Sequence, residues 1–153
     1  MSVIGNLIWI IFGGWFMALL WLLFGVLAYL SIIGIPWGRA CFVMAGFAFM
    51  PFGYTSISRE TLYGKSDLGT GIPGMLGNAV WFIFAGLWIA LAHVATAAAM
   101  ALTIIGLPFA WQHIKLAELA LFPIGKTIVP CDIAAEAQRR RAAEDLDRKR
   151  NNA

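Results

Sequence analysis

The sequence predicts an all-α integral membrane protein of two tandem repeats, each a long membrane helix followed by a short one, with a charged tail helix behind them. Two observations carry this expectation: where the charges lie, and an internal repetition. Of the 153 residues, 61% are hydrophobic and only 12% are charged, against roughly 25% charged in a soluble domain. No charged residue precedes Arg39, and none lies between Asp67 and Lys115 unless a histidine is protonated. Both stretches exceed the roughly 20 apolar residues that a spanning helix needs. A shift of 72 residues lays residues 5–53 on 77–125 without a gap, with 17 of 49 positions identical. The repeating unit is a membrane segment and not a soluble solenoid repeat. The chain divides accordingly into repeat one (1–53), a polar linker (54–74), repeat two (75–125) and a charged tail (126–153).

Segment one, about Val3 to Leu30, reads as a long helix, apolar on every face. It lacks a basic start, runs past the length of a signal-peptide core and recurs in mid-chain, so it is expected to be retained. Gly13 and Gly14 inside it would let a neighbouring helix approach closely or would kink the helix, with close approach the favoured reading. Ser31-Ile-Ile-Gly-Ile-Pro36 is expected to end the helix, with Gly34 and Pro36 as the break and Ile35 pushed from helical dihedrals. The next segment, Trp37 to Met50, reaches only roughly 21 Å as a helix. It must span with tilt, re-enter or lie in the interface. Its Arg39 is expected to snorkel to phosphate. Pro51-Phe52-Gly53 stops it.

Within the linker, Tyr54 to Ser58 hints at a strand, as does Lys126 to Pro130 after repeat two. Were these to pair, both repeats would end on one side of the membrane, with an even number of crossings in each, hence parallel repeats and four spans. Single crossings would instead give inverted repeats. Segment three, about Met75 to Leu102, is rich in small residues, among them Ala90, and is expected to be the central helix, packed against other helices or subunits. Gly106 and Pro108 are expected to break it. Segment four, Phe109 to Phe122, is more polar. The tail holds seven Lys/Arg against five Asp/Glu, which predicts a cytoplasmic C-terminus. Asp132 is expected to cap a tail helix, braced by the i,i+4 pairs Glu136–Arg140, Glu144–Arg148 and Asp145–Lys149.

With the repeat laid out, Gly-Asn-x-x-Trp at 5–9 and 77–81, Ile-Ile-Gly-(Ile/Leu)-Pro at 32–36 and 104–108, and Pro-x-Gly at 51–53 and 123–125 resemble the YccF family. The likeness covers about residues 3 to 130. It implies two copies of a membrane domain in the bacterial inner membrane, a multi-pass protein, and supplies no reaction, cofactor or site residue.

Ionisable residues at membrane depth are functional candidates because burying charge is costly. His93, with Thr96 on the same face, could bond across helices, line a pore or relay protons. Gln112, Lys115 and Glu118 step by threes along segment four, and Lys115 and Glu118 could pair at i,i+3. These five residues form the candidate lining of a homo-oligomeric, channel-like assembly passing an ion or small solute. The alternative is a non-transporting scaffold or accessory subunit in which they satisfy packing alone. Cys41, His93, His113 and Cys131 lack metal-ligand spacing. There is no nucleophile elbow, phosphate loop or paired-carboxylate motif. No enzyme activity, metal, cofactor or nucleic acid is therefore expected, and membrane lipids are the expected surroundings.

Overall fold

Two helical hairpins and a short β-ribbon make up the computed structural model, which describes residues 2–32 and 34–152. Of Phe12 and Gly13 only the backbone is described, so packing at Gly13 lies outside the described residues. The first long helix comprises α1 (Ser2–Trp9), a π-helical turn (Ile10–Gly14) and α2 (Trp15–Leu30); α3 (Ile35–Phe49) returns along it. Next come β1 (Tyr54–Ser58) and α4 (Arg59–Tyr63). The second long helix repeats the first as α5 (Ile72–Trp81), a π-helical turn (Phe82–Gly86) and α6 (Leu87–Ala101), and α7 (Leu107–Leu121) returns. Strand β2 (Lys126–Pro130) and α8 (Cys131–Asn151) follow. Residues Ile72–Ala101, 30 residues with mean hydropathy 1.9, are long and apolar enough to cross a membrane by length and composition.

The protein is not all-α: β1 and β2 pair antiparallel, Tyr54 opposite Pro130 and Ser58 opposite Lys126. The ribbon rests on α3 and α7. Pro36 and Pro108 also act differently from expectation. Each lies in the first turn of the helix after the break, and Ile35 is helical. A missing N–H costs nothing where the helix has no acceptor for it. The reversal falls at Gly34 and Gly106 instead. A Cβ on Gly34 would sit 2.6 Å from the Ala28 carbonyl oxygen, and one on Gly106 would strike that of Met100. Ser31 and Thr103 close the two tips alike, each hydroxyl donating to a carbonyl three residues back and accepting from the glycine N–H.

The Ala-rich long helix is not the central one. Ala92, Ala95, Ala98 and Ala99 are exposed. The core is instead Met44, Phe47 and Ala48 of α3 against Leu116, Leu119 and Ala120 of α7. Small residues do work where long and short helices cross: Gly25 and Gly38 in the first hairpin, and the buried Ala97 and Ala110 at the equivalent positions of the second. Ala90 is buried as well.

Contacts between the hairpins set their direction. At the start of α3, Trp37 Nε1 donates to the Gly77 carbonyl at the base of repeat two, 3.1 Å. Its counterpart Phe109, at the start of α7, packs on Trp9 and Phe52 at the base of repeat one. Each hairpin tip thus lies beside the other repeat's base, and the hairpins run past one another in opposite directions, so the paired strands do not bring the expected parallel repeats.

Helix α8 begins one residue before Asp132, with Pro130 rather than Asp132 at its cap position. Its first turns dock on the ribbon, Ala134 and Ala137 packing with Ile57, Leu62 and Val129. Arg141 reaches Glu60 of α4, 3.6 Å. Glu136–Arg140 forms at 2.9 Å, and Arg140 holds the Glu136 carboxyl below its usual pKa. The other two expected pairs are replaced by Arg141–Glu144, Arg148–Asp145 and Arg150–Asp147 at i,i+3.

Candidate functional site: a repeated staple and a histidine pair

The three motifs meet at the base of each hairpin. The Asn6 carboxamide donates to the Phe52 carbonyl (3.1 Å) and accepts from the Phe52 N–H (3.0 Å). Asn78 does the same to Ile124, both at 2.9 Å. Three residues on, Trp9 Nε1 donates to the Ala48 carbonyl (2.7 Å) and Trp81 Nε1 to that of Ala120 (2.8 Å). Ala48 and Ala120 lie in the last turns of α3 and α7, where carbonyls have no intrahelical donor. The indole supplies one. Pro-x-Gly turns the chain out of the helix: Gly53 and Gly125 both take φ +87, a conformation open chiefly to glycine.

The π-helical turns belong to the same device. Gly14 and Gly86 each lie five residues after the tryptophan, and a Cβ on either would strike that indole. Gly14 therefore seats a ring of its own helix, where sequence reasoning expects it to admit a neighbouring helix.

Thr96 donates to the Ala92 carbonyl one turn back, 2.9 Å. His93 of α6 meets His113 of α7, Nδ1 to Nδ1 3.0 Å, both buried, with Trp9 beside His113. One ring must donate from Nδ1 and the other accept there, so the two hold different tautomers. Their counterparts in repeat one are Trp21 and Cys41. His93, His113, Thr96 and Thr103 line a cavity of about 820 Å³ between the hairpins, together with apolar side chains such as Trp9, Trp88 and Phe109.

Segment four does not present its polar residues to one path. Lys115 Nζ donates to the carbonyls of Pro51 (3.0 Å) and Tyr54 (2.7 Å) and lies 5.3 Å from the Phe47 ring centroid. It fastens α7 to the end of repeat one. Gln112 is buried, donates weakly to the Pro108 carbonyl and leaves Oε1 without a partner among the described residues. Glu118 is exposed, and Lys115 and Glu118 do not form the expected pair. Sequence reasoning missed His113 as the partner of His93 and Asn6 and Trp9 as fasteners. Their partners lie 20 to 46 residues away; for Asn6 and Trp9, recurrence as Asn78 and Trp81 at a 72-residue shift is the signal that could have found them, and the histidine pair has no such repeat.

Between α4 and α5, Asp67 accepts from Arg59 Nε (2.7 Å) and from the N–H groups of Gly69 and Thr70. The Arg59 guanidinium, helped by these N–H donors, holds its carboxyl well below the usual range. A lowered folded-state pKa means the clip is present above the ordinary carboxylate pKa and is lost as pH falls through the lowered one. Amide exchange at Gly69 and Thr70 should thus be slow and constant from neutral pH down to about 4 after correction for intrinsic rates, and fast throughout in Asp67→Ala.

The YccF family model, an inner membrane component domain, matches the chain twice, over residues 4–54 and 76–126. Two relatives named inner membrane protein YccF, from Escherichia coli (strain K12) and Shigella flexneri, are each 33% identical over 141 residues, 90% of this chain and 94% of theirs. No solved structure matches. Doubled match and relatives together place the chain in the YccF family of bacterial inner-membrane proteins.

Proposed function

We propose that this protein is a non-transporting inner-membrane scaffold or accessory subunit whose two antiparallel hairpins lie in the cytoplasmic half of the bilayer without crossing it. The observation that carries the reading is the position of the first hairpin's tip. Ile35 and Arg39 line one cavity with Arg59, Asp67 and Lys126 of the polar linker and ribbon. A tip that had crossed the bilayer would be far from those charges. The paired strands require an even number of crossings per repeat, and zero satisfies that as well as two.

Charge is layered in the same sense. The ribbon, linker and α8 carry most of it, α3 and α7 carry Arg39, Lys115 and Glu118, and the long helices carry no Asp, Glu, Lys or Arg. The basic excess of the tail assigns the charged layer to the cytoplasm. His93, Thr96 and Lys115 all have internal partners, as residues that serve packing would. Homo-oligomerisation was expected because one subunit is too small to enclose a pore, and a scaffold has no such requirement.

Protein reconstituted into vesicles carrying ion- and proton-sensitive dyes should give no flux above empty vesicles. Lys115→Met should lower stability by about 1.5–3 kcal/mol through the lost charged donor and leave that baseline unchanged. Unitary currents altered by Lys115→Met would overturn the reading and restore the channel.

A further inference from the structure

We propose that the cavity beside the first hairpin tip binds the headgroup phosphate of an anionic phospholipid. The cavity, about 710 Å³, lies between the start of α3, the linker and the start of β2. Arg39 and Lys126 line it, and neither has an ion-pair partner among the described residues. Arg59 and Asp67, also on the lining, neutralise one another through their two-point contact. The site therefore carries two uncompensated cations.

Two cationic side chains lining one concave site suit a phosphate, whose oxygens accept charge-assisted hydrogen bonds. The remaining wall, with Ile35, Trp37, Leu68 and Pro73, is apolar and suits the glycerol and the first carbons of an acyl chain. A zwitterionic lipid brings a cation of its own and gains less. The site exists once: the 72-residue shift puts Trp111 at the place of Arg39, and Tyr54 at that of Lys126. Arg39, alone on a helix otherwise free of charge, thereby acquires a role that packing does not supply.

This inference rests on membrane embedding and not on the absence of transport, so the flux measurement and the following one fail independently. Full-length protein stripped of lipid in detergent is titrated with phosphatidylglycerol, phosphatidylcholine or glycerol 3-phosphate, and binding is read by native mass spectrometry. Phosphatidylglycerol should bind most tightly. Arg39→Gln and Lys126→Gln should each weaken it about fivefold, the effect of one basic residue at an anionic surface, and leave phosphatidylcholine unchanged. The tail variant Arg148→Gln/Arg150→Gln should bind as wild type does, and unchanged melting temperatures show that the variants are folded. Equal retention of both lipids, equal loss in the tail variant, or glycerol 3-phosphate binding as tightly as the lipid would each overturn the proposal.

Discussion

Replacing Trp9 by alanine should cost about 3–5 kcal/mol, the range for deleting a buried large aromatic, and should be the most damaging single change in the first hairpin. The residue is 4% exposed. Its indole joins both repeats: Nε1 caps the end of α3 at Ala48, while the ring stacks on Phe109 and approaches Phe52 and His113. Alanine removes all of these at once and leaves a void between α3 and α7. Trp81 is only partly buried and, among the described residues, packs against no aromatic ring but Trp21, so Trp81→Ala should cost visibly less. Trp9→Phe keeps most of the packing and leaves the Ala48 carbonyl unpaired, a loss of about 1 kcal/mol. Unfolding in mixed micelles, followed by circular dichroism, should rank the three in that order. Equal costs for Trp9→Ala and Trp81→Ala would show that the cross-repeat contacts contribute nothing.

Removing an asparagine staple ranks second. Asn6→Ala leaves both the N–H and the carbonyl of Phe52 without partners in a half-buried turn, and Asn78→Ala does the same at Ile124. At about 1–3 kcal/mol for each orphaned group, discounted for partial exposure, each variant should lose about 2–4 kcal/mol. The geometry is the same at both ends, so the two losses should be alike. The sites share no partner, so the double variant should lose their sum. Asn→Asp keeps the acceptor and drops the donor, and should fall between wild type and alanine. Equal losses that do not add would mean that the two bases unfold as one coupled unit.

Much of the scaffold was legible because it rests on local signals. Apolar runs, glycine and proline punctuation, the alternation at Tyr54 to Ser58 and the β-prone Lys126 to Pro130 all act within a few residues. Proline was the exception: Pro36 and Pro108 signalled a boundary correctly but open helices instead of closing them, because a first-turn position tolerates the missing donor. Pairing across the fold was not legible. Nothing near Asn6 points to Phe52, nor anything near His93 to His113. The Gln112, Lys115 and Glu118 spacing suggested a lining, yet Lys115 is long enough to turn back to Pro51 and Tyr54, which only the crossing of the hairpins brings within reach. The small residues of segment three suggested a central helix, while burial falls on α3 and α7 because both hairpins turn their short helices inward.

The central claim, that neither hairpin crosses the bilayer, is best tested by cysteine accessibility. In a Cys41→Ala/Cys131→Ser background, single cysteines are placed at the tips (Leu30→Cys, Ile104→Cys), in the linker (Ser66→Cys) and in the tail (Asn152→Cys). Leu30 and Ile104 are 74% and 87% exposed in the isolated chain, so the protein itself does not shield them. A membrane-impermeant maleimide is applied to intact spheroplasts and to inverted vesicles. The account predicts labelling of Ser66→Cys and Asn152→Cys in inverted vesicles alone, and no labelling of either tip in spheroplasts. A tip cysteine labelled from the periplasmic face would contradict it and establish that the hairpins cross.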